Sequence, residues 1–294
     1  KRGHSSFCLC QKNTHLEENL VQKNLPYFSV NCKNYFSPGA SIKIHQLIKN
    51  KEIQVMHCHS SKDLWLIVPA LGGLSEVKLF ATSRILFTRH KKKDFLHKLI
   101  YSRLEKLLVL SQMAKDSMLK CLPLPEDKYI VLPNGVDLER FNPDRYDKSK
   151  SREELGFSET DFVVGLIGRI DKGKGQKELV EAAGEIVKEF PQTKFLIVGE
   201  ETLAEGIDYL NEVKNLVQKL NLERNLVFTG FKTNVPEILK ALDVFVLPSY
   251  QENFANILLE AMAMQLPVIG TDSGGTPEIL NFSAEGEYTS GIGE

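Results

Sequence analysis

The stretch Pro248-Ser-Tyr-Gln-Glu-Asn-Phe-Ala-Asn-Ile-Leu-Leu-Glu260 follows a short apolar run, Val244-Phe-Val-Leu247, and leads into Ile257–Met264, which is rich in Leu, Ala and Met. The run has the length and composition of a buried strand, and the later stretch those of a helix, so the quoted segment crosses a strand-to-helix loop. Its two carboxylates are thereby separated, Glu252 on the loop and Glu260 inside the helix. At such a junction in an open parallel sheet, unpaired amides and the positive end of the helix favour anionic ligands.

Outward from that segment, short apolar runs alternate with amphipathic stretches along the whole chain, the pattern of βαβ units building parallel sheets in an α/β fold. In the first half the expected strands are Ser6–Cys10, Tyr27–Val30, Val55–His59, Ile85–Thr88, Leu107–Leu110 and Tyr129–Pro133. In the second half they are Val163–Gly168, Lys194–Gly199, Leu226–Gly230, Val244–Leu247 and Val268–Thr271. Pro191 and Pro267 each stop a helix. The Gly274-Gly275 turn precedes Thr276 as an N-cap and Pro277 at the first helical position. The segment Asn142–Ser151 carries polar and breaker residues without apolar periodicity, so a linker is expected there, dividing the chain into domains 1–147 and 148–294.

A chain of 294 residues with 42% hydrophobic and 26% charged residues has the composition of a globular protein long enough for two domains. Its formal net charge of −1 gives no overall attraction to nucleic acid, so none is expected as a partner. The five cysteines, an odd and scattered set, fit neither a disulfide framework nor a zinc ribbon and point to a reducing compartment. No apolar run reaches the roughly 18–20 residues that span a bilayer, and no signal peptide is visible. The chain opens at Lys1 without an initiator Met, as though a helix were running into a strand, and something is expected to precede it.

After Leu166-Ile-Gly168 comes Arg169-Ile-Asp-Lys-Gly-Lys-Gly175, a loop with two bend-permitting glycines and, in Arg169 and Lys174, a planar fork and a point charge suited to a diphosphate. A solvated basic loop is the other reading, and Lys172 is left to it. Glu252 and Glu260 are of the type that bridges vicinal hydroxyls of a sugar or ribose, while amides at Phe254, Ala255 and Asn256 face a phosphate or sugar. Read individually, Glu252 is equally an exposed loop carboxylate and Glu260 an ion-pair partner on a helix. His57-Cys-His-Ser60 ends a strand, but no acidic or cysteine partner stands at ligand spacing, so no metal is expected.

Glu252-Asn-Phe-Ala255 with Leu258-Leu-Glu-Ala-Met-Ala263, then Pro267-Val-Ile-Gly-Thr-Asp-Ser-Gly-Gly-Thr-Pro-Glu278, resembles the signature of the retaining GT-B glycosyltransferases of group 1, or family four. Gly168-Arg169 with Lys174-Gly175 resembles that family's diphosphate loop, and Pro133-Asn-Gly-Val-Asp137 with Phe141-Asn-Pro143 resembles its inter-domain segment. The likeness covers most of residues 53–280. It implies two Rossmann-like domains facing a central cleft and transfer of a sugar from a nucleotide diphosphate sugar with retention of configuration, in glycan or lipopolysaccharide biosynthesis. Carried over by position, it implies that Arg169 and Lys174 hold the donor diphosphate, that Glu260 binds the nucleotide's ribose, and that Glu252 meets the transferred sugar. Gly230-Phe231 matches the turn that contacts the base, though an ordinary strand-end turn accounts for Phe231 equally. Phe87-Thr-Arg-His90 resembles the segment that places a histidine over the donor sugar, which makes His90 the acceptor-side candidate, with an exposed histidine beside Lys91-Lys-Lys93 as the other reading. His59 and Ser111 are weaker candidates.

No Asp-x-Asp pattern suits a magnesium–diphosphate complex, so neither metal nor cofactor is expected and the donor is a substrate. Where the family carries Glu-Gly-Phe-Gly this chain has Glu252-Asn-Phe-Ala255, which puts donor preference in question. The family's first strand and glycine-rich loop would lie before Lys1, and its crossing C-terminal helices after Leu280, so truncation at both ends is expected. From Arg84 to Arg103 a basic, amphipathic stretch is either an ordinary packed helix or a peripheral contact with anionic membrane, and the family's membrane-associated members make a lipid-linked or cell-surface glycan acceptor natural. The expected setting is the cytoplasm, with peripheral placement on the inner face of the cytoplasmic membrane. Two further readings stay open: a non-catalytic nucleotide-sugar-binding subunit, and a nucleotide-sugar epimerase, for which a second acid/base set is not visible.

Overall fold

The structure is a computed structural model that describes residues 3–32, 36–84, 92–201 and 206–280, for 206 and 207 the backbone alone. The chain divides into two compact units, one of residues 1–110 and 114–132, the other of residues 111–113 and 133–294.

In the first unit the elements run β1 (Cys8–Gln11), α1 (His15–Gln22), β2 (Tyr27–Val30), α2 (Pro38–Asn50), β3 (Val55–Cys58), α3 (Leu64–Ala70), β4 (Lys78–Ser83), α4 (Phe95–Ser102), β5 (Lys106–Val109), α5 (Gln112–Cys121) and β6 (Tyr129–Val131). Strands β1 and β2 pair in parallel, and β3-β4-β5-β6 form a second, wholly parallel sheet. Leu79 and Ala81 on β4 and Val109 on β5 are fully buried, and Ile44, Leu64 and Met118 pack against the same core from the helices.

After Pro133 come α6 (Lys148–Leu155), β7 (Phe162–Ile167), α7 (Gln176–Glu189), β8 (Thr193–Val198), α8 (Gly206–Lys219), β9 (Leu226–Phe228), α9 (Val235–Ala241), β10 (Val244–Leu247), α10 (Asn256–Ala263), β11 (Val268–Gly270) and α11 (Thr276–Leu280). The sheet order is β11-β10-β7-β8-β9, all parallel. Successive side chains point to opposite faces: Val163, Leu196 and Val198 enter one core, and Val164, Phe195 and Ile197 the other. A sheet covered on both faces accounts for the continuous apolar runs.

One expectation is corrected. By packing, the compact units part at Leu132/Pro133, because Val136, Phe141 and Tyr146 join the second unit's core. Part of the segment expected as a linker is helix α6, whose Arg152 is 4% exposed. The expected strand Ile85–Thr88 lies outside the described residues, and β4, not expected, runs before it: Lys78-Leu-Phe-Ala-Thr-Ser83 is too polar at its ends to stand out by composition. Among the described residues no helix is long and apolar enough to cross a membrane.

Candidate donor site at the strand ends of the second unit

Strand order reverses between β7 and β10, because the chain leaves β7 toward β8 and β9 and returns on its other side through β10 and β11. In an open α/β sheet that crevice, at the carboxyl ends of the strands, is where ligands bind. Two loops flank it, 168–175 leading to α7 and 248–255 leading to α10. Neither helix has a side-chain cap: Gly175 and Ala255 occupy the N-cap positions without a capping hydrogen bond. Lys177 N–H of α7 donates to Tyr209 Oη at 3.4 Å and Leu258 N–H of α10 to Ala255 O at 3.0 Å, which leaves the other first-turn amides without a cap and available to an anion.

The two loops are held backbone to backbone. Tyr250 N–H donates to Gly173 O at 3.0 Å. Gly175, at φ +75°, sits where a Cβ would lie 2.1 Å from Pro248 O. From the other side, Gly275 N–H donates to Glu252 O at 2.8 Å, Thr271 Oγ1 donates to Ser249 O at 2.5 Å, and Ser273 Oγ donates to Tyr250 O. A Cβ on Gly274 would lie 2.2 Å from Glu252 O, and one on Gly275 2.0 Å from Asn253 O. The Gly274-Gly275 turn thus fits because it has no side chains, and it fixes the backbone that carries Glu252.

Within this frame Lys174 Nζ pairs with Glu252 Oε1, both side chains being largely buried. Arg169 is exposed, with Nη2 3.5 Å from Asp171 Oδ2, so the two cations expected to act together each face a carboxylate. Glu260 stands on α10; burial pushes its pKa up, and the charge of Arg140 partly offsets this. Phe254 is half-buried; Ala255 is buried and its methyl packs in the second unit's core. Asn256 accepts from Asn134 Nδ2 at 2.8 Å. Gly168 and Gly199 directly follow β7 and β8, and Gly230 lies two residues beyond β9, with Gly199 N–H donating to Gly230 O at 3.0 Å. Gly230 has φ +69° and open space around it, and Phe231 beside it is 62% exposed. Ser111, which groups with this unit, donates to Asn253 Oδ1 at 3.3 Å. His90 lies outside the described residues. His59 is exposed on the first unit, its ring 4.6 Å from that of His57.

Sequence reasoning missed a set of buried polar atoms around these loops. Gln176 Oε1, Glu178 Oε2, Ser249 Oγ, Asn253 Nδ2 and Thr276 Oγ1 are buried with no hydrogen-bond partner among the described residues, and Tyr129 Oη is the one such atom elsewhere. An unsatisfied buried group costs about 1–3 kcal/mol, so five of them around the same loops single this edge out as the candidate for a polar partner. Ser249 and Thr276 lay inside quoted motifs, but nothing in their spacing announced burial. Asp171, which orders the 168–175 loop by accepting from Gly173 N–H at 3.0 Å, carried no signal beyond its place in that loop.

Comparison with known proteins extends this picture. Residues 147–287 match the family described as Glycosyl transferases group 1, and residues 1–140 match Glycosyltransferase Family 4. A relative from Escherichia coli, UDP-Gal:alpha-D-GlcNAc-diphosphoundecaprenol alpha-1,3-galactosyltransferase, is 32% identical over 258 residues, covering 83% of this chain and 64% of the relative. The lipopolysaccharide core biosynthesis mannosyltransferase LpsB of Rhizobium meliloti is 32% identical over 162 residues, covering 53% of this chain and 46% of the relative. The chain therefore spans less than two thirds of the length of either. Among solved structures, a glycosyltransferase from Rickettsia africae superposes with a TM-score of 0.84 at 21% identity, over 95% of this chain and 74% of that one.

Proposed function

The chain belongs to the group 1, family 4 glycosyltransferases, and from that premise we propose that it transfers a sugar from a nucleotide diphosphate sugar to a glycan or lipid-linked acceptor, with retention of configuration and without a metal. The observation that carries the reading is the coincidence of the sheet's switch point, two uncapped helix N-termini and five buried, unpartnered polar atoms at one edge. A nucleotide diphosphate supplies what that edge lacks: anionic oxygens for the amides, and hydroxyls for the carboxylates.

In this reading Arg169 and Lys174 take the diphosphate, whose negative charge grows as the glycosidic bond breaks, so that cations and fixed amides stabilise the departing group more than the bound donor. Glu260 accepts from the ribose hydroxyls, Gly230-Phe231 meets the base, and Glu252 accepts from the transferred sugar. The leaving phosphate's own oxygens take the acceptor proton on the face they vacate, which retains configuration. His90 serves the acceptor side. The relative from Escherichia coli bears UDP-Gal and a diphosphoundecaprenol in its name, which supports a uridine donor and a lipid diphosphate acceptor here.

Thermal shift across nucleoside diphosphates, on wild type and Glu260→Ala, tests the site. Stabilisation by one nucleotide that weakens in the variant supports it, and no stabilisation by any nucleotide contradicts it. Transfer in the presence of EDTA tests the metal, and the anomeric configuration of the product by NMR tests retention. Donor binding without transfer to any acceptor or to water would replace the enzyme by a nucleotide-sugar-binding subunit.

A further inference from the structure

Two side-chain links of different chemistry join the 248–255 loop to the 168–175 loop and the helix that follows it. Beside the ion pair of Lys174 with Glu252, Tyr250 donates its Oη–H to Glu178 Oε1. Tyr250 stands two residues before Glu252, and Glu178 four residues after Lys174. Glu178 lies in the first turn of α7, where the positive helix end favours a carboxylate, and Tyr209 steadies that turn by accepting from Lys177 N–H at 3.4 Å. The second Glu178 oxygen is buried without a partner among the described residues, so the side chain relies on Tyr250. Tyr250 is itself 60% exposed, and polar atoms set its place: its N–H donates to Gly173 O at 3.0 Å, and its carbonyl accepts from Ser273 Oγ. The Glu178 carboxylate pushes the phenol's pKa up, which keeps the proton on Oη and the hydrogen bond in place.

A donor acts on the two links differently. A diphosphate competes for Lys174 and a sugar for Glu252, so the ion pair gives way as both bind. Neither Tyr250 nor Glu178 is asked to meet the donor, so their hydrogen bond persists. From that point the spacing of Lys174 from Glu252 depends on the Tyr250–Glu178 link and on the backbone bond from Tyr250 to Gly173. Small errors in that spacing are harmful, because the cation at the diphosphate and the carboxylate at the sugar act on the two sides of one bond.

We propose that Tyr250 is a positioning residue: through Glu178 it keeps the two loops in register once a donor has drawn Lys174 and Glu252 apart. The inference rests on the donor-site reading and adds to it a residue pair that touches no ligand.

Hydrogen exchange in the ligand-free protein tests the link, and titration tests its use. In Lys174→Met, which removes the ion pair as a donor would, amides of the 248–255 loop are expected to exchange within about threefold of wild type, and in Lys174→Met/Tyr250→Phe about tenfold faster or more. Calorimetry with UDP, UDP-galactose, UDP-glucose and UDP-N-acetylglucosamine then compares wild type with Tyr250→Phe. The variant is expected to bind UDP within about twofold of wild type and the preferred UDP-sugar about five- to tenfold more weakly, because the sugar is the part that meets Glu252. Glu178→Ala is expected to repeat both results, and Glu178→Ala/Tyr250→Phe to be no worse than either alone. Glu178→Gln, which keeps an acceptor for Oη, is expected to behave as wild type. A merely stabilising side chain would move UDP and the UDP-sugar alike. Unchanged circular dichroism melting shows that the variants remain folded, and Glu178→Ala carries the test if Tyr250→Phe does not fold. Loss of loop protection in Lys174→Met alone, no further loss in the double variant, equal weakening of UDP and the UDP-sugar, or failure of Glu178→Gln to rescue would each overturn the inference and leave the donor site standing. Failure of wild type to bind any of these nucleotides, with the exchange results as expected, would instead remove the uridine donor reading, and with it this use of the link.

Discussion

Lys174 and Glu252, 78 positions apart in the chain, form an ion pair between the two loops that flank the β7/β10 crevice, with 20% and 14% of their side chains exposed. Each neutralises the other in the absence of a ligand, so a diphosphate that recruits Lys174 must draw it away from Glu252. Glu252→Gln frees the lysine and is expected to tighten nucleoside diphosphate binding by about three- to tenfold, equivalent to about 1 kcal/mol, while transfer falls. Lys174→Met is expected to weaken the same binding. Calorimetric titration with the nucleotide identified by thermal shift decides it; weaker binding in Glu252→Gln would show that the carboxylate helps hold the diphosphate end rather than competing for the lysine.

Glu260 makes a second prediction through its proton. Burial raises its pKa above the ordinary value of 4.5, so the folded state holds a proton that the unfolded chain has already released. Stability from this group is therefore fully present below the unfolded value and is lost as pH rises through the raised folded one. At neutral pH the ionised carboxylate is a cost that Arg140 offsets in part and a ligand would offset further. Glu260→Gln is expected to raise Tm at neutral pH, to make little difference at acid pH, and to abolish nucleotide-dependent stabilisation. A Tm difference that shrinks as pH rises would remove the argument.

Gly230 and Gly274 separate conformation from space. Both have positive φ, +69° and +64°, but a Cβ on Gly230 meets nothing within 4 Å whereas one on Gly274 would lie 2.2 Å from Glu252 O. Gly230→Ala is expected to cost only the left-handed strain, about 1–2 kcal/mol. Gly274→Ala must add displacement of the backbone that carries Glu252, and is expected to lower both Tm and transfer further. Equal losses in chemical denaturation would mean that the 248–255 loop moves aside without cost.

Much of this was readable beforehand, and what was not has physical causes. The strand before Glu252 and the helix bearing Glu260 announce themselves because a buried parallel strand needs a continuous apolar run and a helix its own residue types. The ion pair of Lys174 with Glu252 is invisible in sequence, since the topology that joins β7 to β10 brings distant loops together. The role of Gly274-Gly275 is likewise a tertiary one: two glycines read as a turn, and only the structure shows which backbone they admit. Ala255 looked like a side chain added to a ligand-facing loop, but its methyl is in the core. Strand β4 escaped notice because Lys78, Thr82 and Ser83 dilute its apolar centre.

The segment containing Arg152 was the least legible, and it yields the strongest stability prediction. Lys148-Ser-Lys-Ser-Arg-Glu-Glu-Leu155 looks like a solvated linker, yet Arg152 is buried, donates to Ala241 O at 3.1 Å and Glu159 O at 2.7 Å, and pairs with Asp243 at 2.5 Å. Lys148 reaches Oδ1 of Asp243 at 2.7 Å, and Val163 N–H donates to Oδ2, the oxygen that Arg152 engages, at 2.8 Å. Burial pushes the Asp243 pKa up, but the Lys148 and Val163 hydrogen bonds and the charges of Lys148 and Arg152 outweigh it and hold the carboxyl below its ordinary 3.8. The depressed value places this contribution above the unfolded pKa, and it is lost as pH falls through the folded one. Asp243→Asn leaves a buried guanidinium without its counter-charge and is expected to cost about 3–5 kcal/mol. Because the carboxylate is gone, the variant should also lose less stability than wild type on acidification. Urea melts at neutral and acid pH measure both effects, and a variant within about 1 kcal/mol of wild type at neutral pH would show that the backbone acceptors of Arg152 suffice to hold α6 against the rest of the second unit.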